Sequence, residues 1–122
     1  GCLYCQAHTI LGAERFGCTK KRLEEVWNYA NSSAFSSAEK AALDFAFAAA
    51  SVPNKVTKKE AYQLKNYWTD NDIIEIMGVI ALFGFLNRWN DSMGSALEDL
   101  PIEKGEEHLM KNTNWTPGKH RV

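Results

Sequence analysis

The feature that most constrains the fold is a long segment, residues 70–93, whose middle is apolar on nearly every side. Asp70 and Asp72 suit the positive end of a helix dipole, and Gly94 is a good helix-ending residue, so the segment predicts one helix. Its longest nearly uncharged stretch, residues 77–86, is far shorter than the roughly 20 residues that a membrane span needs. Such a helix must lie at the centre of a domain or be shared with another subunit.

Helix signals recur along the rest of the chain, with no strand-like alternation and no internal repeat. Ser36 with Glu39, and Thr57 with Glu60, have the spacing of the capping box that opens a helix. The predicted further helices cover residues 2–16, 20–29, 37–50 and 58–68. These patterns predict an all-α fold.

The pattern changes after Gly94, where Pro101, Gly105 and a charged run interrupt the helical periodicity. We therefore predict a core over residues 1–100 and a tail over residues 101–122. The tail is expected to lie over the domain or a neighbouring subunit, with a short helical piece near residues 106–111 and a loosely ordered end from residue 112.

Composition excludes several classes of partner. The 122 residues suffice for one domain, and 14 Lys plus Arg balance 15 Asp plus Glu. This balance argues against nucleic acid, which requires clustered positive charge, and against docking on an anionic membrane. Three cysteines are too few for a secreted disulfide scaffold, so a reducing, cytoplasmic location is expected. The chain begins Gly1-Cys2 without a Met, and we expect a further part of the protein upstream.

The chemistry is concentrated in the Cys-x-x-Cys-x-x-His segment formed by Cys2, Cys5 and His8. Residues three apart on a helix lie on one face, so two thiols and an imidazole can share a stripe. A thiolate that attacks a peroxide becomes a sulfenic acid, which a second thiol converts to a disulfide. An imidazole, with an ordinary pKa of about 6.5, can move the protons.

Other interpretations of this segment stay open on the residues alone. Cys2, Cys5 and His8 could be three ligands of a zinc ion, with a fourth ligand elsewhere in the protein. The cysteines could instead form a structural disulfide, or all three residues could be ordinary core side chains. Outside the segment, Arg88 and Asp91 are expected to have a structural role, and His108 and His120 are assigned none.

Several further motifs resemble the AhpD-like and carboxymuconolactone decarboxylase family. His8-Thr9 follows the cysteine pair, and a Gly-Cys-Thr turn follows at residues 17–19. A Phe-Ser-Ser-Ala-Glu-Lys-Ala-Ala-Leu run occupies residues 35–43. The long helix carries Asp-Ile-Ile-Glu-Ile at residues 72–76 and Asn-Arg-Trp-Asn-Asp at residues 87–91. The match spans about residues 1–100, in the family's order and spacing, and implies an all-α AhpD-like fold that assembles into homo-oligomers.

The resemblance also implies roles for the three site residues. In the family's alkylhydroperoxidase branch the second cysteine attacks the hydroperoxide, the first resolves it as a disulfide, and the histidine shuttles protons. These roles fall on Cys5, Cys2 and His8. That branch places its histidine four residues after the second cysteine, whereas His8 is three residues after Cys5. The branch also has a glutamate upstream of the first cysteine.

The sequence therefore predicts a thiol-dependent peroxidase, an antioxidant oxidoreductase with a redox-active disulfide and without a cofactor or catalytic metal. Its expected partners are a small hydroperoxide and a dithiol reductant, which in some family members is a lipoyl group on a partner protein. Two alternatives are an oligomeric binding or scaffold protein with a structural disulfide or metal, and a carboxymuconolactone decarboxylase-like lyase.

Overall fold

A computed structural model describes all 122 residues, Gly1–Val122, and every regular element in it is helical. The predicted all-α fold is confirmed. The α-helices are α1 (Leu3–Arg15), α2 (Lys20–Glu25), α3 (Ser37–Ala50), α4 (Lys58–Lys65), α5 (Asp70–Met93), α6 (Asp99–His108) and α7 (Met110–Thr113). Two 3-10 helices cover Val26–Asn31 and Gly118–His120.

The capping signals in the sequence mark the observed helix starts. Ser36 and Thr57 each form a complete capping box, with Glu39 and Glu60 respectively. The predicted helix over residues 20–29 is shorter than expected, because α2 gives way to the 3-10 helix after Glu25. Helix α5 ends at Met93, and Gly94 follows with φ +63°, a conformation that favours glycine.

The first of two compact units comprises Gly1–Ala34 and Phe85–Val122. Within it α1 packs against α6, and a buried core lies around them. The ammonium of Lys104 on α6 lies 3.1 Å from the Glu14 carboxylate on α1. The buried core residues are Ala7, Ile10, Leu23, Leu97, Leu109 and Trp115. These contacts fix α1, and with it the cysteine segment.

The C-terminal part of the sequence is an ordered component of this unit. Trp115 is 2% exposed, and its indole N–H donates to the carbonyl of Leu3 over 3.2 Å. A Cβ placed on Gly105 would lie 2.5 Å from the Trp115 ring, so this contact needs glycine. The prediction of a loosely ordered end from residue 112 is wrong, because Trp115 and His120 are buried in this unit. The division into a core and a tail at residue 100 stays a prediction.

The second unit comprises Phe35–Gly84, in which α3 packs against α4. The Trp68 indole N–H donates to the carbonyl of Ala38 over 2.9 Å, and this bond connects the segment after α4 to the first turn of α3. Leu64 and Ala41 are its buried apolar residues.

Of the two positions predicted for helix α5, the centre of the domain does not hold, because none of its residues is buried within the chain. Sharing with another subunit stays a prediction. Successive residues of a helix are turned by about 100° around its axis, and five exposed apolar side chains of α5 fall within one arc of about 100°. We call this row the stripe. The stripe consists of Ile74, Leu82, Phe85, Trp89 and Met93. No helix has both the length and the apolar character required to cross a membrane.

Candidate active site

The two cysteines of the motif lie at the start of α1, both buried and both free thiols. Cys2 is the N-cap residue, and its sulfur accepts the backbone N–H of Cys5 over 3.2 Å. Cys5 lies in the first turn of the helix, and its thiol is hydrogen-bonded to the Cys2 sulfur. The predicted proximity of Cys2 and Cys5 is therefore present, with Cys2 at the helix cap.

The surroundings of Cys5 favour its protonated form. Burial raises the pKa of the Cys5 thiol to about 11, and its hydrogen bond with Cys2 acts in the same direction. The amide of Asn90, on α5, donates to the Cys5 sulfur over 3.7 Å and opposes the rise. The net effect leaves Cys5 a weak source of thiolate at neutral pH.

His8 lies one turn after Cys5 but makes its contacts elsewhere. Its Nε2 is 3.1 Å from a carboxylate oxygen of Glu98, and its ring packs on Tyr4 with centroids 4.4 Å apart. Burial raises the pKa of the Tyr4 phenol, and the Glu98 charge adds to the rise. The partner of His8 is therefore the carboxylate of Glu98, the residue just before α6.

A second histidine lies closer to Cys2. A ring nitrogen of His120, a carboxylate oxygen of Asp91 and the Cys2 sulfur all lie within 4.8 Å of one another. His120 is completely buried, and Asp91 also pairs with Lys119 over 3.1 Å. The Lys119 hydrogen bond, with a smaller contribution from His120, holds the pKa of Asp91 below its usual range. Asp91 is therefore a carboxylate at neutral pH.

Sequence reasoning misses this cluster. Asp91 belongs to the Asn-Arg-Trp-Asn-Asp run, for which the sequence predicts a structural role, and it predicts no role for His120. The run is the one signal that could draw attention to Asn90 and Asp91. Nothing near His120 in the sequence marks it, because only folding brings it to Cys2.

The donor types around Cys2 also bear on the zinc alternative. Thiolate, imidazole and carboxylate are all zinc ligands. However, the predicted set of Cys2, Cys5 and His8 does not form a group with metal-ligand spacing. At the other cluster the Lys119 ammonium pairs with Asp91 and opposes binding of a dication. We therefore interpret the arrangement as one suited to thiol and proton chemistry.

A separate cavity of about 440 Å³ adjoins the other side of α1. Leu3, Gln6, Trp27 and residues 113–116 line it. Leu3 and Gln6 each follow a cysteine by one position, so each is turned about 100° around the helix from the cysteine that precedes it. The cavity is thus lined by residues next to the cysteines and not by Cys2 or Cys5.

Comparison with known proteins gives two similar structures. The debrominase Bmp8, without ligand, superposes with a TM-score of 0.83 and 36% identity over 88% of this chain. A cysteine-to-alanine variant of Bmp8, in complex with 2,3,4-tribromopyrrole, superposes with the same TM-score and 34% identity. This chain spans 57% of the length of each of them. No protein-family model matches the chain, and no curated protein matches it.

These similarities support the helical AhpD-like fold superfamily that the sequence motifs indicated. They concern the fold, and do not distinguish the peroxidase branch from other members.

Proposed function

We propose that this chain is the thiol-bearing part of an oxidoreductase in which Cys2 and Cys5 donate two electrons to a hydroperoxide. The observation that carries the proposal is the pair of free, buried and mutually hydrogen-bonded thiols at the start of α1. Two thiols this close in sequence at the start of a helix can form a disulfide when their side chains rotate, and the helix itself need not change. Nearby imidazoles and carboxylates can move the protons.

The proposed reaction is balanced by the cysteine pair alone. One thiolate attacks the terminal oxygen of the hydroperoxide, the O–O bond breaks, and the alcohol leaves after taking a proton. The resulting sulfenic acid then condenses with the second thiol, which forms a disulfide and releases water. An external dithiol returns the enzyme to its reduced form by exchange; a small dithiol or a lipoyl group has the required chemistry.

The similarity to Bmp8 favours a second candidate of the same redox type. Bmp8 is a debrominase, and its cysteine variant was crystallised with a brominated pyrrole. Transferred to this chain, that chemistry would replace a carbon–bromine bond by carbon–hydrogen, release bromide and oxidise Cys2 and Cys5 to a disulfide. Both candidates use the dithiol as a two-electron reductant, and they differ only in the bond that accepts the electrons.

We also propose that the protein works as a homo-oligomer. The exposed stripe of Ile74, Leu82, Phe85, Trp89 and Met93 supports this proposal, because aromatic and aliphatic side chains in one row are typical of an interface. The cytoplasmic location expected for a dithiol remains a prediction.

The test is consumption of hydrogen peroxide and of cumene hydroperoxide by the protein in the presence of dithiothreitol. Cys2→Ser and Cys5→Ser should each abolish turnover, whereas Cys18→Ser is the matched control and should retain it. A parallel assay measures bromide release from 2,3,4-tribromopyrrole. Bromide release without peroxide turnover would replace the first candidate by the second. Activity in neither assay, with inert thiols, would favour the binding or scaffold alternative.

A further inference from the structure

The two sulfurs of the motif are almost equally buried, yet their neighbours differ. Cys2 is 4% exposed and Cys5 is 6% exposed, so access alone does not distinguish them. Whichever thiol ionises more readily will be the nucleophile, because the thiolate is the attacking form. The neighbours of each sulfur therefore decide the order of attack and resolution.

The start of α1 stabilises a negative charge on the Cys2 sulfur. The backbone N–H of Cys5 points at it from the first turn of α1, where the helix dipole also favours an anion. The Cys5 thiol interacts with the same sulfur, and this interaction contributes to the raised pKa of Cys5. Cys2 accordingly accepts a hydrogen bond from the backbone, whereas the surroundings of Cys5 keep that thiol protonated.

His120 provides a base next to this sulfur. Its Nδ1 lies 2.8 Å from the carbonyl oxygen of Ser95, and a carbonyl can only accept, so Nδ1 carries the proton. In the neutral ring Nε2 is then a bare lone pair. Nε2 is buried and has no hydrogen-bond partner, although the Asp91 carboxylate is 3.6 Å away. A buried Nε2 without a hydrogen-bond partner, on a ring that approaches both Asp91 and Cys2, is well placed to take a proton.

We propose that Cys2 is the attacking thiolate, that His120 accepts its proton with support from Asp91, and that Cys5 resolves. The attack and resolution steps rest on the proposed function, whereas the ionisation of Cys2 does not. This assignment reverses the roles that the family resemblance gives to the two cysteines, and it adds a residue from the far end of the sequence.

Protons and electrons balance in this sequence of steps. The Cys2 proton moves to His120 Nε2, and the imidazolium is stabilised by the Asp91 carboxylate. The Cys2 thiolate attacks the terminal oxygen of the hydroperoxide, and the leaving alkoxide takes the proton back from His120. Cys5 then attacks the Cys2 sulfenic acid, and water leaves as the disulfide forms. Cys5 can stay protonated until that last step, in keeping with its raised pKa.

The experiment measures iodoacetamide alkylation of one cysteine at a time as a function of pH. Cys5→Ser with Cys18→Ser leaves Cys2 alone, and Cys2→Ser with Cys18→Ser leaves Cys5 alone. The titratable groups that face His120 are Cys2 and Tyr4 from α1, Asp91 from α5, and Lys119 from its own turn. At pH 7 we expect Cys2 to react at least about tenfold faster than Cys5, because burial keeps the Cys5 thiol protonated.

His120→Asn is the decisive variant, because the asparagine amide can replace Nδ1 as the donor to Ser95 while Nε2 is lost. It should slow the alkylation of Cys2 at pH 7 by about tenfold, because the proton acceptor beside the sulfur is lost. The Cys5 rate should stay within about twofold. If His120→Asn does not fold, the comparison of the Cys2 and Cys5 alkylation rates with His120 intact provides the test.

Faster alkylation of Cys5 than of Cys2, or a Cys2 profile unchanged in the folded variants, would overturn the proposal. Hydroperoxide turnover separates it from the proposed function. The protein could consume no hydroperoxide while the alkylation rate of Cys2 still depends on His120. That result would support the assignment of the thiolate and its base and would refute only the choice of substrate.

Discussion

Gly105 is the position at which a single methyl group should disturb the structure most clearly. A Cβ there would lie 2.5–2.8 Å from three atoms of the Trp115 ring, where ordinary contact begins at 3.4 Å. The ring would have to move by nearly 1 Å although it is buried and hydrogen-bonded to Leu3. Overpacking of this kind costs about 1–3 kcal/mol. Weakening of the indole hydrogen bond adds about 1 kcal/mol.

One effect opposes this cost. Replacing glycine by alanine inside a helix gains about 0.5–1 kcal/mol, because the unfolded chain loses freedom. We therefore expect Gly105→Ala to lower the free energy of unfolding by about 1–3 kcal/mol, the overpacking range. For a chain of this size each kcal/mol shifts the melting temperature by about 3–6 °C. Urea unfolding and thermal melts followed by circular dichroism would measure both quantities.

Gly12→Ala is the matched control, because Gly12 lies in α1 and a Cβ there would have no atom within 4 Å apart from those of its chain neighbours and its own helix backbone. It should stabilise the protein by about 0.5–1 kcal/mol, the helix-propensity gain alone. Opposite signs for the two variants are the expected result. If Gly105→Ala were as stabilising as Gly12→Ala, the close packing of α6 against Trp115 would not exist in solution.

Two further predictions concern charge and assembly. Hydrogen bonds from Lys104 hold the pKa of Glu14 and of Glu107 below their usual range, so their contribution to stability is present above about pH 4.5 and lost as the pH falls further. Lys104→Met should therefore destabilise the protein at pH 6, and the difference from wild type should shrink towards pH 3 in urea titrations. Phe85→Glu on the exposed stripe of α5 should lower the mass measured by light scattering, whereas Arg15→Glu should leave it unchanged; a monomeric wild type would contradict the proposed oligomer.

Local signals in the sequence predicted the helices well because each is complete within a few residues. Ser36 with Glu39 and Thr57 with Glu60 satisfy the first amides of their helices from within the same turn, and the structure has both capping boxes. The end of α5 at Gly94 was likewise predictable from one residue. Such signals need no information on how distant segments pack.

The candidate site was only half predictable for the opposite reason. Cys2 and Cys5 interact because they are three residues apart. His8 is also three residues from Cys5, yet it pairs with Glu98, a partner that local spacing could not predict. His120 reaches Cys2 through contacts made by other residues. The burial of Trp115 and the bond from the Leu97 amide to the His120 carbonyl place that turn.

The position of His120 beside Cys2 has a consequence for synthesis of the protein. The cysteines leave the ribosome well before the segment that carries Asp91 and His120, and contacts across such a distance in sequence form late in folding. Until then the Cys2 thiol lacks the base that would ionise it. The cysteine pair of the nascent chain is therefore comparatively unreactive. Cys2 reaches its full reactivity only after the C-terminal segment has folded.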